Sequence, residues 1–426
     1  MGVKRSCKIM LNKIKGYLLR AAALLTAFVI LAASAPVLTA GAYAEVPDEK
    51  DFTIVGTAAS DSDAPVEQPE VRYGSAIIMD ADTGAVLYEK NGYMQRPMAS
   101  TTKIMTCLLA IEAGDIGRSI TITEDMLAYD EEGSTKLGLK LGDTITIHDL
   151  VVGMLLLSGN DCAQAVAIYL GGTFENFASM MNERASEIGM YDTFFVTPSG
   201  LDADNHHSTA YDMALLGAEA MRNETFAQLC GLRSYTIQFG NPATNFPLNT
   251  HNYLIEGESR GVKGCNGIKT GYTDDAGYCL VSHVERDGVS LVCCTLGQYS
   301  YWSYHEELFE YAFSKYVKLQ AAPRVEDIEL RVIGGEKQTV DVYCYVDGNF
   351  SVHENQVDGV YSRVFINDFD YAPITKDQVV GHITYYYGSA ELATYSLRAS
   401  ENVACITSDW LSAYIDAIKY DMAAGE

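Results

Sequence analysis

Basic residues are scarce in this chain. Its 426 residues carry 30 Lys and Arg against 56 Asp and Glu, a formal net charge of -26. Gripping a phosphate backbone requires the opposite balance, so nucleic-acid binding is excluded as a global role, although one local basic site remains compatible with the composition. The ten cysteines form no C-x-x-C pair, so neither a zinc site of that kind nor a thioredoxin-like redox site is written here. No internal repeat is visible. With 48% hydrophobic and 20% charged residues, the chain is neither wholly disordered nor a polytopic membrane protein. Its length predicts two or three domains.

Acidic side chains are absent from residues 1–44, which hold Lys4, Arg5, Lys8, Lys13, Lys15 and Arg20. An uncharged stretch follows from Ala21 and ends in Ala42-Tyr43-Ala44. A basic start, an apolar run and small residues at the cleavage positions form an export signal. The other reading is an uncleaved anchor, because the uncharged stretch could just span a bilayer; Pro36, Thr39 and Gly41 weaken that helix. Loss of Cys7 with the signal would leave an odd number of cysteines, which cannot all pair within one chain. Cys107, Cys279 and Cys293 lie in apolar runs, where a thiol acts as a small hydrophobe, so buried free thiols are expected.

Residues 45–70 are acidic, rich in Ala, Ser, Pro and Asp, and aperiodic; they read as a flexible linker. Ser75–Met79 and Ala85–Glu89 flank the turn Asp80-Ala81-Asp82-Thr83-Gly84, a hairpin pattern. A helix is expected from Ser100, helical patterns to about residue 225, strands near 267–273, 277–285 and 289–296, and a last helix over about 301–318. Strands at both ends with helices between predict an α+β domain over 71–321 whose sheet is closed by its two ends. Beyond Pro323 the pattern is all-β, with alternation at Val340, Val342 and Cys344 and further strands near 361–366, 379–387 and 391–397. This predicts a small β-sandwich over 322–398. The tail, 399–426, carries Trp410, Leu411, Tyr414, Ile415 and Ile418 at helical spacing. It reads either as a helix docked on its own domain or as an amphipathic foot touching a membrane; a single lysine, Lys419, weighs against the foot.

Three short motifs carry chemistry. Ser100-Thr101-Thr102-Lys103 puts a hydroxyl and an amine at i and i+3, on one helix face. An unprotonated lysine can activate a serine if burial or nearby positive charge lowers its pKa. The helix start offers N–H groups to an oxyanion. The plainer reading is an N-capping serine with a solvated lysine. Ser158-Gly159-Asn160 follows the apolar run 151–157 and suggests a tight turn aiming a proton relay and an amide into a cleft. Ser400-Glu401-Asn402 also matches that pattern and is set aside as chance. Lys269-Thr270-Gly271, with Tyr272 next, supplies a cation, a hydroxyl and a glycine that lets a substrate backbone approach. The N–H of Tyr272 could complete an oxyanion hole with that of Ser100.

In the order S-x-x-K, S-x-N, K-T-G, with first residues at 100, 158 and 269, the trio resembles that of active-site-serine penicillin-binding proteins and class A β-lactamases. The chain is most similar to low-molecular-mass penicillin-binding proteins that are serine-type D-alanyl-D-alanine carboxypeptidases. The segments Pro97–Thr106, Ser199-Gly200-Leu201, His207–Ala214, Ala276–Val281, Ala372-Pro373-Ile374 and Val380-Gly381 extend the likeness over about 71–398. The resemblance implies a β-lactamase/transpeptidase-like catalytic domain, an antiparallel sheet flanked by a helical cluster, followed by a small all-β sandwich. It implies that Ser100 attacks the bond between two terminal D-Ala residues of a peptidoglycan stem peptide and that Lys103 takes the proton. Ser158 would pass a proton to the leaving amine, Asn160 would bind substrate or hold the lysine, and Lys269 and Thr270 would engage the carboxylate. β-Lactam antibiotics would acylate the same serine. No cofactor and no metal are required. His206 and His207 near Asp202 and Asp204 invite a metal reading, but a hydrogen-bonded loop histidine is the commoner case.

The sequence departs from the family where basic residues are often found near the substrate carboxylate. Asn252 is followed by Tyr253, and Gln298–Tyr304 contains no Lys or Arg. Asn266 stands where an Asp usually precedes the strand glycine. Two other functions stay open. A class A β-lactamase would need an added Glu, and no Glu-x-x-Leu-Asn lies between Asn160 and Lys269. A catalytically inactive wall-binding module is the other, kept open by the missing basic residues.

Overall fold

The central strands hide both faces, and that decides the architecture. Ile77 and Met79 belong to one apolar cluster, while Ala76 and Ile78, one residue out of step, belong to another. Successive side chains of a strand point to opposite faces, so a sheet sandwiched between two layers reads as a continuous apolar run. In the computed structural model, which describes residues 52–57, 67–128, 134–323, 328–346 and 348–406, this sheet has five antiparallel strands. In spatial order they are Val86–Lys90, Ser75–Asp80, Val289–Leu296, Gly277–Arg286 and Cys265–Thr273. The first and last parts of the domain therefore build one sheet, with the K-T-G segment on an edge strand.

One face carries the helical cluster: Lys103–Glu112, Ile147–Val152, Asn160–Gly171, Phe174–Ile188, Ala210–Arg222 and Glu224–Cys230. The other is covered by Tyr301–Phe313 through Leu308, Phe309, Ala312 and Phe313. The alternation also explains two adjacent thiols. Cys293 faces one layer and Cys294 the other, so they cannot approach each other. All nine cysteines from Cys107 onward are free, seven of them buried.

The C-terminal part is a sandwich. A six-stranded sheet contains Thr339–Tyr345, Val360–Ile366, Val379–Tyr387 and Ala390–Ala399. It faces a three-stranded sheet of Phe52–Thr57, Tyr316–Ala321 and Asn349–His353. Phe52, Leu319, Phe350 and Val352 from the small sheet share a core with Val340, Val342, Ile383 and Leu397 from the large one.

Several expectations need correction. The segment read as a structureless linker contains a strand that pairs antiparallel with Tyr316–Ala321 and buries Phe52. Six residues that complete a remote sheet leave no periodic trace of their own. The last helix ends at Phe313, and the residues expected to prolong it to 318 begin the sandwich strand instead. A hairpin, Ser234–Gly240 with Ala243–Asn249, was not anticipated. It lies mostly exposed, with Ile237 and Leu248 the buried apolar positions, too few to show a period. Ser100 lies in a 3-10 turn, Ala99–Thr102, and the α-helix begins at Lys103. The export signal and the tail residues Trp410 to Ile418 lie outside the described residues. Among the described residues no helix is long and apolar enough to cross a membrane.

Candidate active site

The nucleophile turn is held in a conformation the chain does not favour. Ala99 has φ 49°, a left-handed value that costs a non-glycine residue about 1 kcal/mol or more. Its carbonyl is pressed by Gly200, φ 84°, where an added Cβ would lie 1.8 Å from Ala99 O. Only glycine fits there. Thr106 Oγ1 donates to Pro198 O at 2.6 Å, and this bond fixes the 197–201 loop against the nucleophile helix.

Lys103 is fully buried, yet its amine is saturated. Nζ lies 2.7 Å from Ser100 Oγ, 2.7 Å from Asn160 Oδ1 and 2.6 Å from Ser199 O. Burial, and next the charge of Lys269, push its pKa well below the ordinary lysine value. A neutral amine has two N–H donors and one lone pair. Asn160 Oδ1 and a backbone carbonyl can only accept, so they hold the two donors. The lone pair is then left facing the Ser100 hydroxyl. Such an arrangement suits Lys103 to act as a general base toward Ser100.

The K-T-G strand closes the opposite wall. A Cβ on Gly271 would sit 2.9 Å from Ser100 N and 3.0 Å from Thr101 N, so this strand runs directly against the nucleophile turn. Lys269 is 1% exposed, and its Nζ donates to Thr270 O at 2.9 Å. Burial lowers its pKa to about 8. Among the described residues no carboxylate pairs with it, and it keeps donors for an incoming anion. Thr270 is half-buried beside it. Tyr272 is 53% exposed, and its hydroxyl donates to Asp274 Oδ1 at 3.0 Å.

The second motif reaches the site unequally. Asn160 is buried and bonded to Lys103. Ser158 is half-buried, takes a left-handed φ of 69° and ends the turn 153–157 ahead of the helix that begins with Asn160. Its hydroxyl has no hydrogen-bond partner among the described residues. Asp161, next in line, is a brace: its carboxylate accepts from the N–H groups of Leu137, Gly138, Leu139 and Cys162.

One role escaped the sequence reading, and one loop histidine is hydrogen-bonded as expected. Ser199 acts through its carbonyl, a role that any residue could fill and no pattern can signal. His206 is buried, and the N–H of Val196 donates to its Nδ1 at 2.9 Å. The proton therefore sits on Nε2, which meets Thr102 Oγ1 at 3.0 Å. Burial lowers its pKa to about 4. Both ring nitrogens are thus engaged by protein, and the ring fastens the 194–206 loop to the nucleophile turn. Among the described residues no cluster of His, Cys, Asp or Glu could hold a metal. Asn266 likewise has a structural partner, His283 Nδ1, at 2.6 Å.

Fold and site together define an active-site-serine enzyme of the penicillin-binding class. Residues 62–300 match the family described as D-alanyl-D-alanine carboxypeptidase, and residues 324–404 match the C-terminal domain of penicillin-binding protein 5. The first match covers more than half of the chain, which belongs to the D-alanyl-D-alanine carboxypeptidase family, peptidase S11. It is 28% identical over 337 residues to the D-alanyl-D-alanine carboxypeptidase DacF of Bacillus subtilis, covering 77% of this chain and 85% of that one. It is 30% identical over 354 residues to DacC of Escherichia coli, covering 79% and 86%. Penicillin-binding protein 5 of Haemophilus influenzae superposes with a TM-score of 0.56 at 27% identity, over 80% of this chain and 99% of that one. The likeness runs through both folded parts to carboxypeptidases, and it does not favour the β-lactamase or the inactive-module reading.

Proposed function

We propose that this protein removes the terminal D-Ala from peptidoglycan stem pentapeptides through an acyl-enzyme on Ser100. Lys103 accepts the Ser100 proton as the oxygen attacks the penultimate carbonyl. The N–H groups of Ser100 and Tyr272 receive the developing oxyanion. Ser158 relays a proton to the leaving D-Ala amine, Asn160 holds Lys103 and meets the substrate amide, and Lys269 with Thr270 binds the terminal carboxylate. Gly271 gives the peptide room beside the strand. Water then releases the shortened peptide. β-Lactams acylate the same oxygen.

One observation carries this reading: a fully buried lysine whose two neutral-state donors are occupied and whose third contact, at 2.7 Å, is the serine hydroxyl. The composition of residues 1–44 supports export; the catalytic unit then begins near residue 71 and ends before the strand Tyr316–Ala321, which with Phe52–Thr57 belongs to the sandwich, and the tail beyond residue 406 docks or touches the membrane. Labelling with a fluorescent penicillin and assay of D-Ala release from a pentapeptide test the proposal. Ser100→Ala is expected to abolish the covalent label and to lower release by on the order of 10⁴-fold or more. Rapid drug turnover would indicate a β-lactamase. A wild-type protein with neither label nor release would be an inactive module.

A further inference from the structure

Six aromatic residues gather at the end of the cleft. Tyr272, directly after Gly271, has its ring 4.7 Å from that of Tyr278. Tyr278 stacks on Tyr301 at 5.2 Å and 14°, Tyr301 lies 4.4 Å from Trp302, and Trp302 lies 5.6 Å from Tyr253. Tyr299, 80% exposed, precedes this helix. Tyr253, Tyr272 and Tyr278 are 45%, 53% and 38% exposed, while Tyr301 and Trp302 between them are half-buried against the core, so the ladder is most open at its two ends. Single exposed aromatics need no explanation, but a contiguous run from three separate segments does.

We infer that this strip is a carbohydrate platform that holds the sugar backbone of peptidoglycan while an attached stem peptide occupies the cleft. The inference rests on the carboxypeptidase reading above. Pyranose rings present flat C–H faces rimmed by hydroxyls. Tyr and Trp match them, with an apolar face and a hydrogen-bonding tip. The charge pattern selects a neutral polymer over an anionic lipid surface. Asp274 accepts from the Tyr272 hydroxyl, and the Arg260 guanidinium, beside Tyr301, pairs with Glu306 at 3.1 Å. A phospholipid headgroup needs free cations, and residues 298–304 supply none. The strip also begins where the substrate strand ends, so a peptide in the cleft and a glycan on the rings can belong to one molecule.

The test is titration of the full chain with neutral oligomers of N-acetylglucosamine, beside anionic phospholipid vesicles. Saturable glycan binding is expected, weakened about tenfold by Trp302→Ala. The same variant should lower kcat/KM on glycan-linked pentapeptide by a similar factor while free pentapeptide hydrolysis and penicillin labelling stay at wild-type levels. Tyr253→Ala, at an exposed position, provides a second variant should Trp302→Ala fail to fold and lose its label. Absence of wild-type glycan binding, equal binding by the variants, or vesicle binding in place of glycan binding would each overturn the platform. Failure of the wild type to label or to release D-Ala would instead overturn the carboxypeptidase reading, and the glycan titration would still decide the platform.

Discussion

Two lysines face each other across this cleft, and their surroundings differ in one respect that separates their roles. Both are removed from water, and burial lowers the pKa of both. On the helical wall, Lys103 has every neutral-state donor occupied by an obligate acceptor, so its lone pair has one place to go. On the sheet wall, Lys269 has a single backbone acceptor and spare donors. A saturated amine becomes a base; an unsaturated one keeps a proton to offer an anion. The positive charge of Lys269 also pushes Lys103 toward its neutral form, so in the proposed reaction the group that binds substrate helps to prepare the base. Burial alone does not specify function, and the acceptor count around the nitrogen does.

Substitutions at the two positions should separate these roles. The largest effect is expected at Lys103. Lys103→Ala removes the base and should lower the acylation rate by about 10³-fold, measured as the rate of penicillin labelling, with little change in substrate affinity. Lys269→Ala should act on binding, raising KM by roughly 30-fold through loss of a charged hydrogen bond. The pH profile separates them further. Because kcat/KM reports the free enzyme, it should fall as pH rises through about 8, where Lys269 loses its charge, and Lys269→Ala should abolish that alkaline limb. A limb that persists in Lys269→Ala would assign it to another group.

The smallest effect concerns two buried histidines, His206 in the loop against the nucleophile turn and His283 within the central sheet. His206 and His283 have pKa values lowered by burial from 6.5 to about 4. The unfolded chain takes up protons near 6.5 and the folded chain does not until near 4, so stability should be lost as pH falls through that window. Thermal unfolding from pH 7 to 4 measures it. His206→Ala should flatten part of the slope and lower stability by about 1–3 kcal/mol, because the Val196 N–H and Thr102 hydroxyl lose their partner. An unchanged slope would assign the acid sensitivity elsewhere.

Much of this was legible from residues alone because the chemistry is local. Ser100 and Lys103 are three residues apart, so the geometry of one turn brings them together, and Gly271 must be small because a backbone passes it. The central strands were visible because burial on both faces leaves an unbroken apolar run. Other features left no local trace. Asn160 meets Lys103 across 57 residues of chain, and Ser199 across 96. Phe52–Thr57 is a strand only because Tyr316–Ala321 offers it an edge. The aromatic strip is a surface only because a loop, a strand hairpin and a helix start meet there.

The sequence by itself therefore determined which side chains could do the chemistry and the class of domain that would carry them, since residue type and short spacing follow from covalent connectivity. Only the tertiary structure decided how the two lysines differ in acceptors and in pKa, because both depend on neighbours brought in from distant parts of the chain. It alone decided as well that the tyrosines around the cleft form one continuous face, for a surface exists only once the chain has folded.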